Sequence, residues 1–343
     1  MLQLFLGRSG TGKTTALYEE MHRLATENEA PIFLLVPEQA SFENERRLLE
    51  NFGPVLSQRV QVLSFTRLAE IVFRNIGGVA GKTMDTTLSL LLMSQALYTL
   101  SDSLTVYRRS AGSADYLKEL LSFFAECKQS GLSPRLLEES SQALTDGILR
   151  KKLQETASIF TAYEALAAQS QLTDPLDMLT ILARRLSECS LFDGAHVFVD
   201  SFVGFTKQEM DVLEQLLSRT ATVTVALCTD GLSEPNEANL FAESTHTATR
   251  LINAAQKHHV SVKKPRMFTE NKRTTSLELQ ALEAVCYAPA PVVFENPTTD
   301  VCITPCADRS EECRYAARQI RRLLRENGGF YRDFTVVARN SND

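Results

Sequence analysis

The sequence predicts an α/β fold in which a parallel sheet is interrupted by a helical insertion. Largely apolar runs at residues 2–6, 31–36 and 60–65, of which 31–36 is continuous, each precede a helical pattern, as strands buried on both faces of a parallel sheet require. From about residue 82 to 188 only helical periodicity is found. A strand pattern resumes at residues 195–200, so we expect the sheet to continue after the insertion.

Turn and capping signals place the other elements of this region. Gly77 and Gly78 close the helix that follows the third strand, and Asp174 followed by Pro175 predicts a helix start, with the aspartate as N-cap. Further elements are predicted at residues 13–26 and 42–52 (helices), 206–219 (helix), 222–227 (strand), 244–257 (helix) and 260–262 (short strand).

The C-terminal region predicts one more β-α-β unit. After a weakly patterned, proline-rich linker at about residues 271–297, the pattern favours strands at residues 300–306 and 333–339 around a helix at residues 310–327. We expect residues 300–343 to be the beginning of a further domain and the chain to be a fragment.

The overall composition is typical of a globular protein. The 343 residues suffice for two or three domains, and 44% hydrophobic with 23% charged residues is ordinary for a soluble chain. Without an apolar run long enough to span a bilayer or a signal-like N-terminus, we expect a cytoplasmic protein with no membrane association. The net charge of −6 argues against a protein that wraps nucleic acid nonspecifically but permits a local basic groove.

The seven cysteines include no CxxC pair, which argues against a disulfide framework. Cys302, Cys306 and Cys313 are the closest group, and their spacing matches no zinc or iron–sulfur pattern. We interpret them as small buried hydrophobic residues.

The segment GRSGTGKT matches the P-loop pattern G-x-x-x-x-G-K-[ST], with a strand before it and a helix after it. The backbone N–H groups of such a turn form an anion-binding nest, Lys13 can reach the β and γ phosphates, and the Thr14 hydroxyl can bind magnesium. The predicted nucleotide-binding residues are therefore Gly7, Arg8, Ser9, Gly10, Thr11, Gly12, Lys13 and Thr14.

Asp200 ends the strand HVFVD, where a nucleotide-hydrolysing protein normally binds magnesium. We expect Asp200 and Thr14 to be the Mg²⁺ ligands, although an aspartate at a strand end can instead cap a turn. The next residue is Ser201, so the attacking water has no obvious base at that position. Nucleotide binding is therefore expected to exceed hydrolysis.

Polar and aromatic residues follow the second and third strands, at the edge where open α/β sheets bind ligands. Gln39 and Ser41 offer hydrogen-bonding groups, Phe42 and Phe65 offer faces on which bases can stack, and Arg67 offers a phosphate or base contact. An aromatic residue taken alone is more often part of the core than a stacking surface. Their repeated combination with polar residues at strand ends favours a binding role.

Four segments, FLGRSGTGKT, FLLVPEQASFENE, VLSFTRLAE and VFVDSFVGFTKQE, occur in this order with the helical insertion before the last. In this the chain resembles the N-terminal half of the AddB (RexB) subunit of bacterial AddAB-type helicase/nucleases, in the UvrD-like branch of superfamily I. The resemblance implies a RecA-like P-loop NTPase domain 1A at residues 1–82 and 189–290, a helical domain 1B at 83–188 and the start of domain 2A at 300–343. It also implies that Arg339 reaches the nucleotide.

The resemblance further implies a role in double-strand-break repair and recombination. The AddB-type subunit would be an inactivated helicase that binds ATP and Mg²⁺, scans the single-stranded DNA unwound by an AddA-type partner and pauses at the Chi sequence. Gln39, Ser41, Phe65, Arg67 and Phe205 stand in the matching motifs and are the candidate DNA contacts. The family's nuclease motif and 4Fe–4S cluster belong to its C-terminal half, so neither is carried over to these residues.

Two departures from active helicases bear on the alternative functions. Asp200 is not followed by glutamate, and CTDGLSEPN, after the next strand, lacks the expected glutamine. One alternative is an autonomous P-loop enzyme such as a helicase or nucleotide kinase, which these departures count against. Another is an interaction scaffold in which ATP only stiffens the fold.

Overall fold

The computed structural model describes residues 1–77, 82–108, 113–232, 239–285 and 293–338. They belong to two compact units, Met1–Arg273 and Thr274–Asp343. The first unit contains every strand of the described residues. Its candidate site is built on these strands.

Eight strands are formed within the described ranges, and all of their pairings are parallel. Six of them form one sheet in the order β3-β2-β6-β7-β1-β8, and β4 pairs with β5 separately. The strands are β1 (Leu2–Gly7), β2 (Ile32–Leu35), β3 (Val60–Leu63), β4 (Lys82–Thr83), β5 (Leu172–Thr173), β6 (His196–Val199), β7 (Thr222–Cys228) and β8 (Arg266–Phe268). The predicted α/β fold with a parallel sheet is confirmed.

The helices begin at the capping residues that the sequence supplies. The Asp85 and Asp146 side chains accept N-terminal N–H groups, and Thr206 forms a capping box with Glu209. The helices are α1 (Lys13–Glu27), α2 (Ser41–Leu56), α3 (Phe65–Ile76), α4 (Thr86–Thr99), α5 (Ala114–Gln129), α6 (Pro134–Gln142), α7 (Gly147–Gln169), α8 (Met178–Arg185), α9 (Lys207–Arg219), α10 (Ala242–Lys257), α11 (Leu277–Val285) and α12 (Arg309–Asn327).

The predicted helix start at Asp174 is confirmed, with a short 3₁₀ turn at Pro175–Asp177 before α8. Gly77 ends α3 with φ 88°, as predicted, whereas Gly78 lies outside the described residues. The region predicted to be wholly helical also contains the two short strands β4 and β5. Two residues per strand carry too little alternation to be read from sequence.

Three apolar clusters hold the first unit together. Two of them include strand side chains: Leu4, Val197 and Val225 belong to one, and Phe5, Leu34 and Phe198 to the other. The third lies among helices α4 to α7 of the insertion, where the Phe124 and Phe160 rings stack 4.2 Å apart. The insertion therefore has a core of its own.

A buried ion-pair cluster joins the insertion to the segment that returns to the sheet. The Lys128 ammonium lies 2.8 Å from both the Asp174 and the Asp177 carboxylates. Burial alone would lower the pKa of Lys128, but the two carboxylates hold that pKa above its ordinary value. The Gln208 side chain of α9 adds hydrogen bonds to the Leu176 carbonyl and the Thr180 hydroxyl.

The second unit differs from its prediction. Helix α12 is present, but residues 300–306 and 334–338 form no strand, so the two strands predicted there are wrong. An extended segment becomes a strand only by hydrogen bonding to a neighbour. Cys302 and Cys313 are accordingly exposed and Cys306 is half-buried, which corrects their interpretation as buried residues. Helix α11 lies in the predicted linker.

Within the described ranges, no helix is both long enough and apolar enough to cross a membrane.

Candidate functional site

The candidate site lies at the carboxyl edge of the six-stranded sheet. Because all strands are parallel, the ends of β1, β2, β3, β6 and β7 share this edge. The glycine-rich turn, defined as residues 7–14, joins the end of β1 to α1. The predicted magnesium ligand and the predicted DNA contacts follow the ends of β2, β3 and β6.

The glycine-rich turn closes around its own lysine. The Lys13 ammonium donates hydrogen bonds to the Gly7 and Arg8 carbonyl oxygens, both at 2.7 Å. Burial lowers the pKa of Lys13, against the opposing effects of Cys228 and Asp200.

The glycines of the turn are required by its geometry. Gly12 has φ 90°, a left-handed conformation that favours glycine. A Cβ at Gly7 would lie 2.3 Å from the Phe268 carbonyl oxygen.

Thr14 and Asp200 meet at the centre of the site. The Thr14 hydroxyl donates to Asp200 Oδ2 at 2.7 Å, and the Asp200 N–H donates to the Leu35 carbonyl at 3.1 Å. Asp200 is only 6% exposed. Burial raises its pKa, while hydrogen bonds from Thr14 and the Ser201 N–H oppose that rise.

A hydroxyl and a carboxylate oxygen are ligands that Mg²⁺ accepts, usually together with phosphate and water. The donor set of Thr14 and Asp200 therefore fits the predicted cofactor in chemical type. Among the described residues, no three His, Cys, Asp or Glu side chains cluster closely enough to hold a metal.

The residue after Asp200 has an unusual backbone. Ser201 is exposed and has φ 68°, in the left-handed region that residues other than glycine adopt uncommonly. The next two carboxylates along the chain are engaged elsewhere. The Glu209 carboxylate accepts the Thr206 N–H at 2.8 Å in the capping box, and Asp211 pairs with Lys207. Neither is held at the site as a base.

A cavity of about 520 Å³ opens beside the turn, and its lining contains cations that sequence reasoning missed. These are Arg47, Arg266, Lys272 and Arg273. The Lys272 N–H donates to the Gly10 carbonyl at 2.8 Å, which fixes this segment over the turn. Arg266 belongs to β8, and Lys272 and Arg273 follow that strand. Sequence reasoning missed β8 because it has only three residues, two of them exposed, and therefore forms no apolar run.

Arg8 of the turn is held by an ion pair with Asp230, which follows β7. The distances are 2.5 Å (Nε to Oδ1) and 3.0 Å (Nη2 to Oδ2). Asp230 lies in the segment CTDGLSEPN, where the expected glutamine is absent. The remaining predicted nucleotide contact, Arg339, lies outside the described residues.

The polar candidates beyond β2 and β3 differ in accessibility. Gln39 and Arg67 are exposed, and Arg67 Nη1 lies 2.6 Å from Glu45 Oε1. Ser41 is 5% exposed, and its hydroxyl has no hydrogen-bond partner among the described residues. Phe42 is 77% exposed. The edge therefore presents a paired arginine, an amide and an accessible ring.

The aromatic candidates Phe65 and Phe205 are buried, at 7% and 5% exposure. The half-buried Phe202 packs against both, with ring centroids 5.7 Å from Phe65 and 5.0 Å from Phe205. A base could stack on the buried pair only if Phe202 moved, so their DNA contact stays a prediction. Phe202 itself, which sequence reasoning missed, is the accessible ring of the cluster.

The fold and the site together define an α/β protein whose candidate phosphate-binding and strand-binding groups share one edge of a parallel sheet. Residues 4–283 match the family model described as "ADDB, N-terminal". The chain therefore belongs to the AddB N-terminal family, as its four motifs predicted.

Relatives that align with nearly the whole chain include proteins named as the B subunit of an ATP-dependent helicase/deoxyribonuclease. The chain is 32% identical over 347 residues to the protein of this name from Clostridium tetani and 35% identical over 352 residues to that from Desulforudis audaxviator. These alignments cover 98% and 100% of this chain, respectively, and 30% of each relative. The chain thus spans about 30% of the length of these curated relatives.

Proposed function

We propose that this chain is the ATP-binding and single-stranded-DNA-binding part of an AddB-type subunit, within a heterodimeric helicase/nuclease for double-strand-break repair. In this proposal the sheet is a RecA-like P-loop core whose motor activity has been lost. The names of the relatives support the assembly. The 2.7 Å bond from Thr14 to Asp200 carries the proposal for this chain, because it joins the two motifs a nucleotide site needs.

ATP binding is supported by the charge around the glycine-rich turn. Lys13 lies inside the turn, and Lys272 and Arg273 line the same cavity, so several cations converge where phosphates would lie. Thr14 and Asp200 would hold Mg²⁺, which neutralises phosphate charge when bound. Arg339 is proposed as a further contact.

Loss of hydrolysis is supported by the residues that come after Asp200. Ser201 has no carboxylate, and Glu209 is engaged in the capping box of α9. Without a positioned base, the attacking water is not oriented for transfer. The site is therefore proposed to hold ATP and to hydrolyse it poorly, which disfavours an autonomous helicase or kinase.

The DNA strand is proposed to cross the edge formed by the ends of β2, β3 and β6. Gln39 and Arg67 are exposed there, and Phe42 and Phe202 offer rings on which bases can stack. An AddA-type partner would unwind the duplex and feed this strand, and the AddB-type subunit would read it for Chi.

A titration of this chain with a fluorescent single-stranded oligonucleotide, with and without ATP and Mg²⁺, tests the proposal. We expect saturable DNA binding, ATP binding that Lys13→Ala abolishes, and ATP turnover near background. Retained tight ATP binding by Lys13→Ala would contradict the P-loop assignment. ATP binding without DNA binding would favour the scaffold, and rapid DNA-stimulated turnover would favour an autonomous motor.

A further inference from the structure

Helix α12 of the second unit carries a row of arginines along one face. Arg314, Arg318, Arg321 and Arg325 are spaced at i, i+4, i+7 and i+11, so they lie on the same side of the helix. All four are exposed. At a rise of about 1.5 Å per residue, the row is roughly 16 Å long. We call these four residues the arginine row.

The opposite face of α12 carries the apolar side chains of the helix. Ala316, Ile320, Leu323 and Leu324 are half-buried, and on the same helix the Tyr315 hydroxyl accepts a hydrogen bond from Thr304 at 2.9 Å. The arginine row is therefore the more exposed face of α12.

The guanidinium groups of the row are not paired with carboxylates in the part of the chain that the structure describes. Among the described residues none of the four arginines forms an ion pair, whereas neighbouring Arg322 lies 3.8 Å from Glu326. Residues 314–325 contain five arginines and no acidic residue, in a chain with a net charge of −6. Like charges three and four residues apart destabilise a helix, so the row lowers the stability of α12.

The geometry points to a second DNA-binding surface, in which the arginine row binds the phosphate backbone of single-stranded DNA. Guanidinium groups bind phosphate through paired N–H donors, and every cation of this segment is arginine. A row on one helix face suits a charged backbone running alongside it. Such contacts are independent of base sequence and hold the strand in register.

This inference rests on the proposed function in one respect, namely that single-stranded DNA is the ligand. The test uses the whole 343-residue chain with the double substitution Arg318→Gln and Arg321→Gln, which leaves the apolar face of α12 unchanged. We expect affinity for a fluorescent oligo-dT to fall by about tenfold near 0.1 M salt. The slope of log affinity against log salt should decrease in magnitude by about 1.4, or roughly 0.7 for each lost phosphate contact.

A matched control carries the same loss of charge elsewhere. Arg23 and Arg135 are exposed and pair with glutamates on α1 and α6, so Arg23→Gln with Arg135→Gln should leave binding nearly unchanged. An equal loss of oligo-dT affinity in this control would mean that the effect comes from the overall charge of the chain, and this would overturn the inference. Circular dichroism and thermal unfolding establish that both variants are folded.

The outcomes separate this inference from the proposed function. The strand-edge site is the proposed DNA contact region at the ends of β2, β3 and β6. If Arg67→Ala weakens DNA binding while the row variant keeps its full DNA affinity and salt dependence, the arginine row is not a DNA contact and the strand-edge site stands. Polyglutamate serves as a second, acidic probe. If the row variant loses affinity for polyglutamate but keeps its affinity for oligo-dT, the row binds an acidic protein surface and the inference is wrong. If the unaltered chain binds no oligo-dT, both proposals fail.

Discussion

The Thr14 hydroxyl donates a 2.7 Å hydrogen bond to Asp200, a residue 186 positions later in the chain. This bond joins the turn after β1 to the end of β6, with β7 lying between the two strands. Because Asp200 is buried and its pKa is raised by that burial, its carboxylate depends on Thr14 and on the Ser201 N–H for stabilisation. The pair is the point at which a bound metal would act.

Asp200→Asn should remove most of the effect of Mg²⁺ on ATP affinity. The amide keeps the shape and an acceptor for Thr14 but loses the anionic oxygen that Mg²⁺ prefers. We expect a loss of at least about tenfold, since even residues that only support metal ligands are worth roughly 10- to 100-fold. Isothermal titration with and without Mg²⁺ measures this loss. Asp211→Asn is the control, and an unchanged magnesium effect in Asp200→Asn would exclude Asp200 as a ligand.

Arg67 and Glu45 should have opposite effects on DNA binding. Arg67→Ala would remove the proposed phosphate contact and should then flatten the salt dependence of single-stranded DNA binding by about 0.7 to 1 in log–log slope. Glu45→Gln removes the partner that lies 2.6 Å from Arg67 and should therefore strengthen binding. Fluorescence anisotropy across a salt series measures both effects. The strand-edge site would lose Arg67 if neither variant changed the slope.

Alanine substitutions at Phe202 and Phe205 should differ in their effects on DNA binding and on stability. Phe205→Ala empties a buried site and should lower the free energy of unfolding by about 3–5 kcal/mol. Phe202 is half-buried, so Phe202→Ala should cost less stability but weaken DNA binding if bases stack there, by about 1–3 kcal/mol per base. Urea unfolding and oligonucleotide titration measure the two effects. Unchanged DNA affinity in Phe202→Ala would assign this ring to packing alone.

Glu155 should make the insertion sensitive to acid. Its carboxylate accepts the N–H groups of Thr105, Val106 and Tyr107 and the Thr105 hydroxyl. Burial alone would raise the pKa of Glu155, but these hydrogen bonds hold that pKa below its ordinary value. Its stabilisation is therefore present above the unfolded pKa of about 4.3 and is lost as pH falls through the lower folded value.

Glu155→Gln should accordingly lower the free energy of unfolding at neutral pH by about 1.5–3 kcal/mol, the range for hydrogen bonds to a charged group. The difference from the unaltered chain should shrink as pH falls below about 4. Urea unfolding between neutral pH and pH 3 measures the difference. A gap that stays constant over this range would mean that the carboxylate charge contributes nothing.

Much of the sheet could be predicted because its strands are largely apolar runs. β2 is apolar throughout, as a strand covered on both faces requires, and β1, β3, β6 and β7 are apolar apart from Gln3, Gln61, His196 and the threonines of β7. β8 lacks such a run because Arg266 and Met267 are exposed. Residues 300–306 show the converse error: they have strand-like composition but no neighbour to pair with.

The candidate site was predictable only in part. The glycine-rich turn and Asp200 follow from local motifs, whose chemistry depends on residues adjacent in sequence. Lys272 reaches the turn through β8, a short strand with no sequence signal. Phe65 and Phe205 are buried in a core cluster against which the half-buried Phe202 packs, and periodicity does not reveal this arrangement.

By itself the sequence determined the α/β class, the turn with its lysine, the aspartate at the end of β6 and the family. These are local patterns, in which backbone conformation and burial are encoded within a few neighbouring residues. Only the tertiary structure decided that Thr14 touches Asp200, that Arg8 pairs with Asp230 and that Lys272 lies over the turn. These contacts join distant positions because strand order in the sheet, not sequence distance, determines which strand ends are neighbours.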